Sequence, residues 1–133
     1  MCADENKNRA LIADDEQDVL EMFQAVLSCE LQDCGVDFVV NGAEAVEAFK
    51  SAHHGVIVVD VNMPVMGGEK AFEEIQKICN AENLKIPCFV FCSGADESAS
   101  IKKIIAEDPR HSVLRKPVDP DDLVRILKDR LGL

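Results

Sequence analysis

"VIVVDVNMPVMGG", residues 56–68, is the stretch on which the fold turns. Four β-branched residues run into a single acid, Asp60, and the chain then breaks through Met-Pro and Gly-Gly. A short, continuous apolar run bounded by turn residues reads as a strand buried on both faces. A carboxylate that ends such a run belongs where the strand meets water, because burying an unpaired charge is costly.

Four further runs of strand length accompany it: "RALIAD" (9–14), "DFVV" (37–40), "CFVFCS" (88–93) and "SVLR" (112–115). Helical periodicity fills the gaps. The first helix has Val19, Leu20, Phe23, Val26, Leu27 and Leu31 on one face. The second opens with Asn41 as cap and Glu44 three residues on, and turns Val46 and Phe49 inward. The third carries Phe72, Ile75 and Ile78. Asp96 reads as the cap of the fourth, which holds Ile101, Ile104 and Ile105 and ends before Pro109. The fifth opens with Asp119 as cap and Pro120 at its first position, with Leu123, Ile126 and Leu127 inside. Strands apolar on both faces and alternating with helices predict an α/β fold, a parallel sheet covered by helices on both sides.

The chain has 133 residues, the size of one domain with one hydrophobic core, and residues 1–8 read as a polar segment before a domain over 9–133. A formal net charge of −11 opposes binding to nucleic acid or to an anionic membrane and favours a protein partner or a small ligand. There is neither a membrane-length apolar run nor the layout of a secretory signal, so a cytoplasmic location is expected. The six cysteines (2, 29, 34, 79, 88 and 92) include Cys88 and Cys92 in an apolar run and Cys29 and Cys79 in amphipathic stretches. Most therefore read as small buried hydrophobes kept reduced rather than as a disulfide framework. His53, His54 and His111 fall at loops or helix ends, without the paired spacing of a zinc site.

In open parallel sheets the functional crevice lies beyond the carboxyl ends of the strands. Asp14 and Asp15 end the first strand, Asp60 the third and Ser93 the fourth, and Lys116 follows the fifth, so all five should converge on one edge. Crowded carboxylates raise one another's pKa unless a cation neutralises them, and hard oxygen ligands suit Mg²⁺. With such a cation, Asp60 is placed as a nucleophile toward a phosphoryl group, and Lys116 and the Ser93 hydroxyl can meet the other phosphoryl oxygens. Each signal has a bland reading alone: Asp14 and Asp15 as helix caps, Asp60 as a loop acid, Ser93-Gly94 as a turn, Lys116-Pro117 as a surface lysine before a turn. Their joint placement at four strand ends is what carries weight.

The motifs "LIADD", "VVDVNMPVMGG", "FVFCSGA" and "VLRKP" resemble, in order and spacing, the acidic pair, phosphoacceptor strand, Ser/Thr strand and lysine motif of the receiver domain of bacterial response regulators. The resemblance runs from about Arg9 to Leu133. It implies a doubly wound, flavodoxin-like (CheY-like) five-stranded parallel sheet in the order 2-1-3-4-5 with five helices, and no attached effector domain. It further implies that Asp60 accepts a phosphoryl group from a histidine kinase or a histidine phosphotransfer protein. Asp15 would then bind Mg²⁺ directly, Asp14 through water, and the backbone carbonyl of Asn62 would complete the protein ligands, with Asp60 itself in the set. Lys116 would pair with phosphoryl oxygens, Ser93 would act as the switch hydroxyl, and the Lys116-Pro117 bond would be cis. The protein would switch binding to an unidentified downstream protein and catalyse only its own phosphorylation and dephosphorylation.

Two positions depart from or bear on that pattern. The aromatic residue that many members carry three positions before the lysine is replaced by Val113, so the relay should run through the loop from Ser93 to Asp96 into the fourth helix. Ala95 leaves the approach of water to the phosphoryl group open. Two other readings compete. A haloacid-dehalogenase-like, Mg²⁺-dependent phosphatase would want a second acid at the position of Asn62. A flavodoxin-like FMN binder would want a Ser/Thr/Gly-rich loop where "DDEQD" stands.

Overall fold

The structure, a computed structural model, describes residues 9–32 and 34–133, so residues 1–8 and Cys2 with them lie outside the described residues. The elements are β1 (Arg9–Ala13), α1 (Gln17–Glu30), β2 (Gly35–Val39), α2 (Gly42–Ala52), β3 (Val56–Asp60), α3 (Gly68–Glu82), β4 (Cys88–Ser93), α4 (Ala99–Glu107), β5 (Ser112–Arg115) and α5 (Pro120–Leu131). The five strands form one sheet in the order β2-β1-β3-β4-β5, and every pairing is parallel.

Strand alternation divides the core in two. Ala10, Ile12, Val56, Val58, Val90 and Cys92 point to one face, where α1 supplies Leu20, Phe23 and Leu27 and α5 supplies Leu123, Val124, Leu127 and Leu131. Leu11, Ala13, Ile57, Val59, Phe89 and Phe91 point to the other, against Val46 and Phe49 of α2, Phe72 and Ile75 of α3, and Ile101 of α4. β3 is buried along its whole length, and each of its apolar side chains, removed from water on either face, contributes roughly 1.5–3 kcal/mol. Ile78, Ile104, Ile105 and Ile126 are only partly buried at the margins of these clusters.

The helix starts follow local chemistry. The side-chain carbonyl oxygen of Asn41 accepts from the Glu44 amide at 2.8 Å, and the Glu44 carboxylate accepts from the Val40 amide at 3.0 Å. That second bond takes Val40 out of the sheet, so β2 ends at Val39 and not at Val40. It begins at Gly35, two residues earlier than the apolar run, because Gly35 and Val36 already pair with Arg9 and Ala10. Asp119 caps α5, with Pro120 in its first turn. The expected cap of α4 moves: Ser98, not Asp96, precedes the helix, and its hydroxyl accepts from the Ile101 amide at 3.1 Å. Asp14 is no helix cap either. β1 stops at Ala13, and α1 begins after Glu16, which makes no side-chain cap bond. Cys79, Cys88 and Cys92 are buried, but Cys29 is exposed on α1 and Cys34 is half-buried.

At the amino-terminal edge of the sheet, polar groups fix the starts of β4 and β5. His111 Nδ1 accepts from the Phe89 amide at 3.0 Å, Arg110 donates to the Ile86 carbonyl at 3.1 Å, and Arg130 donates to the Arg110 carbonyl at 2.8 Å. His54 is buried with Nε2 2.7 Å from the Asp37 carboxylate. The Arg110 guanidinium forks onto Asp108, and those bonds hold the Asp108 carboxyl at about 2, below its ordinary 3.8. An acid with a depressed folded-state pKa adds stability that is present above its unfolded value and is lost as pH falls through the folded one. Asp108→Asn should therefore lower the unfolding free energy by about 1 kcal/mol at pH 7. The gap to the wild type in urea midpoints should close between roughly pH 4 and pH 2.

Candidate functional site

Beyond the carboxyl ends of the strands, three loops bring acids and a lysine together. Asp14 follows β1, where its amide extends the ladder to the Val39 carbonyl at 3.1 Å. Its Oδ1 accepts from the Glu16 amide at 2.9 Å, which turns the chain and aims the carboxylate inward. Asp60 repeats the device at the end of β3, with Oδ1 accepting from the Asn62 amide at 3.0 Å. Asp14 and Asp60 are only 4% and 3% exposed, whereas Asp15 faces solvent. The ligand oxygens of Asp14, Asp15 and Asp60 all lie within 4.8 Å of one another, the one such group of three or more acid, His and Cys donors among the described residues.

Lys116 supplies the countercharge. Its amide donates to the Ser93 carbonyl at 2.9 Å, the Lys116-Pro117 peptide is cis, and Nζ pairs with Asp60 Oδ2. The Glu16 carboxylate stands 3.7 Å from the same ammonium. Burial works against the Lys116 charge, but the Asp60 carboxylate, with Asp14 and Glu16 behind it, holds its pKa above the ordinary lysine value. Burial raises the Asp14 pKa, aided by Asp60 and Glu16 and opposed by the Glu16 amide and Lys116. Burial, with Asp60 and Asp14 nearby, also pushes the Cys92 thiol up to about 12, so it stays protonated beneath the acids.

The structure brings four of the five expected groups together: Asp14, Asp15, Asp60 and Lys116. Ser93 lies at the same edge, but its hydroxyl faces its own loop, donating to the Ala95 carbonyl at 2.9 Å and accepting from the Ala95 amide at 3.2 Å. Asn62 is exposed in the loop after β3. The Gly67-Gly68 pair has a steric reason: a Cβ at Gly67 would stand 2.4 Å from the Val61 carbonyl oxygen, and one at Gly68 2.9 Å from that of Asp60. The loop can thus fold tightly over the end of β3. Glu16 is a lysine partner beyond the expected five, and its place directly after Asp14 and Asp15 is its signal in the chain.

A hard divalent cation fits this donor set. Three carboxylates offer oxygen ligands, one side opens to water through Asp15, and a single lysine leaves the cluster with net negative charge.

Sequence comparison converges with this geometry. The family profile "Response regulator receiver domain" matches residues 10–128. The chain belongs to that family, the phosphoacceptor modules of two-component signalling. The receiver is 29% identical over 119 residues to the chemotaxis protein CheY of Thermotoga maritima, covering 90% of this chain and 93% of that protein. It is 36% identical over 76 residues to a protein-glutamate methylesterase/protein-glutamine glutaminase of Aliivibrio fischeri, an alignment covering 57% of this chain but only 20% of that longer protein. Among solved structures, the co-crystal of the Saccharomyces cerevisiae histidine phosphotransfer signaling protein Ypd1 with the receiver domain of its downstream response regulator Ssk1 matches with a TM-score of 0.80 at 19% identity. That match covers 96% of this receiver and 90% of the matched chain. Among the described residues, no helix is long and apolar enough to cross a membrane.

The raised Asp14 pKa fixes the sign of a test. Between the unfolded value and a raised folded value the native state binds more protons, so stability falls as pH rises through that window. Asp14→Asn keeps the acceptor for the Glu16 amide and removes the charge. Without divalent cations the variant should be more stable than the wild type at pH 7, with the advantage shrinking on acidification toward about pH 4. Urea midpoints across pH measure it, and a less stable variant at pH 7 would contradict the assignment.

Proposed function

We propose that Asp60 is the phosphoacceptor of this receiver and takes its phosphoryl group from the phosphohistidine of a histidine kinase or a histidine phosphotransfer protein. The observation that carries the reading is a nearly buried Asp60 carboxylate paired with Lys116 and crowded by Asp14 and Asp15 at an open edge of the sheet. An Asp60 carboxylate oxygen attacks phosphorus, an O–P bond forms, and the P–N bond to the donor imidazole breaks. The electron pair leaves with that nitrogen, which is then protonated. Lys116 exchanges its bond to Asp60 Oδ2 for one to a phosphoryl oxygen, neutralising charge that develops in transfer. Asp14, Asp15, Asp60 and the Asn62 backbone carbonyl would hold Mg²⁺, which supplies further neutralisation of the phosphoryl oxygens when bound.

The complex of Ypd1 with a receiver supports a histidine phosphotransfer protein as one class of donor. The net charge of −11 supports a protein partner over nucleic acid or an anionic membrane. Nothing at the site favours a phosphatase acting on small substrates. The acid such an enzyme would want is replaced by Asn62, and the activity this reading gives the chain is its own phosphorylation and dephosphorylation.

Incubation with acetyl phosphate and Mg²⁺ should give a single acid-stable, base-labile phosphoryl adduct by intact mass, absent from Asp60→Asn. An equal adduct on that variant would sink the assignment. Asp15→Ala removes an exposed member of the donor set without disturbing a buried one, and should weaken Mg²⁺ binding at least tenfold, on the order of 1.4 kcal/mol for one lost charged ligand. Isothermal titration of Mg²⁺ into the unphosphorylated protein reads this directly.

A further inference from the structure

Ser93 has one hydroxyl proton, and in this structure it is committed to the Ala95 carbonyl at 2.9 Å. If the hydroxyl turns to a phosphoryl oxygen on Asp60, that bond must break and the loop from Ser93 to Ser98 must rearrange. The loop is pinned at its far end. Ser98, the cap of α4, accepts from the Ile101 amide and spends its own proton on Glu69 Oε1 of α3 at 3.1 Å. Glu69 is anchored in turn, since its neighbour Gly68 donates to the Val61 carbonyl at 3.3 Å and packs against the Asp60 carbonyl. Between the two pins, Arg115 stands 3.6 Å from Asp96 and 3.9 Å from Glu97.

We propose that the Ser98–Glu69 bond is a latch that holds α4 in its unphosphorylated position and is released when Ser93 leaves Ala95, so that it opposes phosphorylation of Asp60. This rests on the phosphoacceptor reading above. The latch ties the start of α4 to the start of α3, which is itself fastened to the loop after Asp60, so any shift of α4 that follows Ser93 must stretch it. By linkage, an interaction present only in the resting state weakens binding of whatever favours the other state. Val113 cannot report the change by swinging a ring, because its branched side chain has one stiff torsion and no aromatic arm. The latch therefore sets the position of α4 without that lever.

The test uses the whole chain, Mg²⁺ and beryllofluoride, with amide hydrogen exchange over residues 93–103 as readout. Two variants break the latch with opposite changes of charge. Glu69→Ala removes a negative charge. Ser98→Asp adds one, keeps a good helix cap, and has no proton to donate. Both should lower the beryllofluoride half-saturation concentration by about two- to fivefold, the scale of one exposed hydrogen bond. Ser98→Thr, which keeps cap and donor, should leave it unchanged. Opposite shifts in the two variants would mean plain electrostatics and overturn the latch, as would unshifted midpoints beside a normal wild-type response. No response in the wild type would overturn the phosphoacceptor reading and the latch with it.

Discussion

The ion pair between Asp60 and Lys116 joins two strands that are not neighbours. β3 carries Asp60, β5 delivers Lys116, and β4 lies between them. The pair can form only if the three strands end level, and the register makes them do so: Asp60 aligns with Cys92, and Ser93 with Arg115, one residue before the lysine. A slip of one residue would reverse every side chain and turn Asp60 to the face that Ile57 and Val59 now occupy, toward the apolar cluster against α2 and α3. The hydrophobic alternation of β3 and β4 therefore does more than fill the core. It sets where the charges surface.

Electrostatics then decide what the edge can do. Asp14 and Asp60 are nearly buried, and each has one oxygen bonded to an amide of its own loop. The amides orient the carboxylates but do not neutralise them, and one lysine serves three acids and Glu16 besides. The site is consequently held short of positive charge, a condition that favours a hard cation and then an anionic phosphoryl group. A better-balanced cluster would be more stable and less receptive.

Much of this was legible in the chain because the relevant signals are local. Strand alternation, the Asn41 and Asp119 caps, and acids at strand ends each depend on residues within a few positions. The Cys29 error has the same scale: two residues after Leu27, it lies about 200° around the helix from the buried face. What escaped was non-local. "ADESAS" offers Asp96, Ser98 and Ser100 as caps of equal merit, and the choice of Ser98 goes with a bond to Glu69, 29 residues away. Ser93 stands at the edge where its place at the end of β4 puts it, and its hydroxyl is bonded to the Ala95 carbonyl of its own loop.

The replacement of a ring by Val113 fits this picture. Val113 pairs with Phe91 in the sheet and packs at the margin of the cluster that includes Phe72, Phe89 and Ile101. A branched side chain held there by packing, with one stiff torsion, transmits little by rotating. Ile101, by contrast, is fully buried in the same cluster, and its amide is the one that Ser98 caps. A displacement of Ser98 thus acts on a backbone bond at the head of α4 and, through Ile101, on the packing beneath it. The helix start is a stiffer handle than a swinging ring, because moving it requires α4 to shift as a body against the sheet.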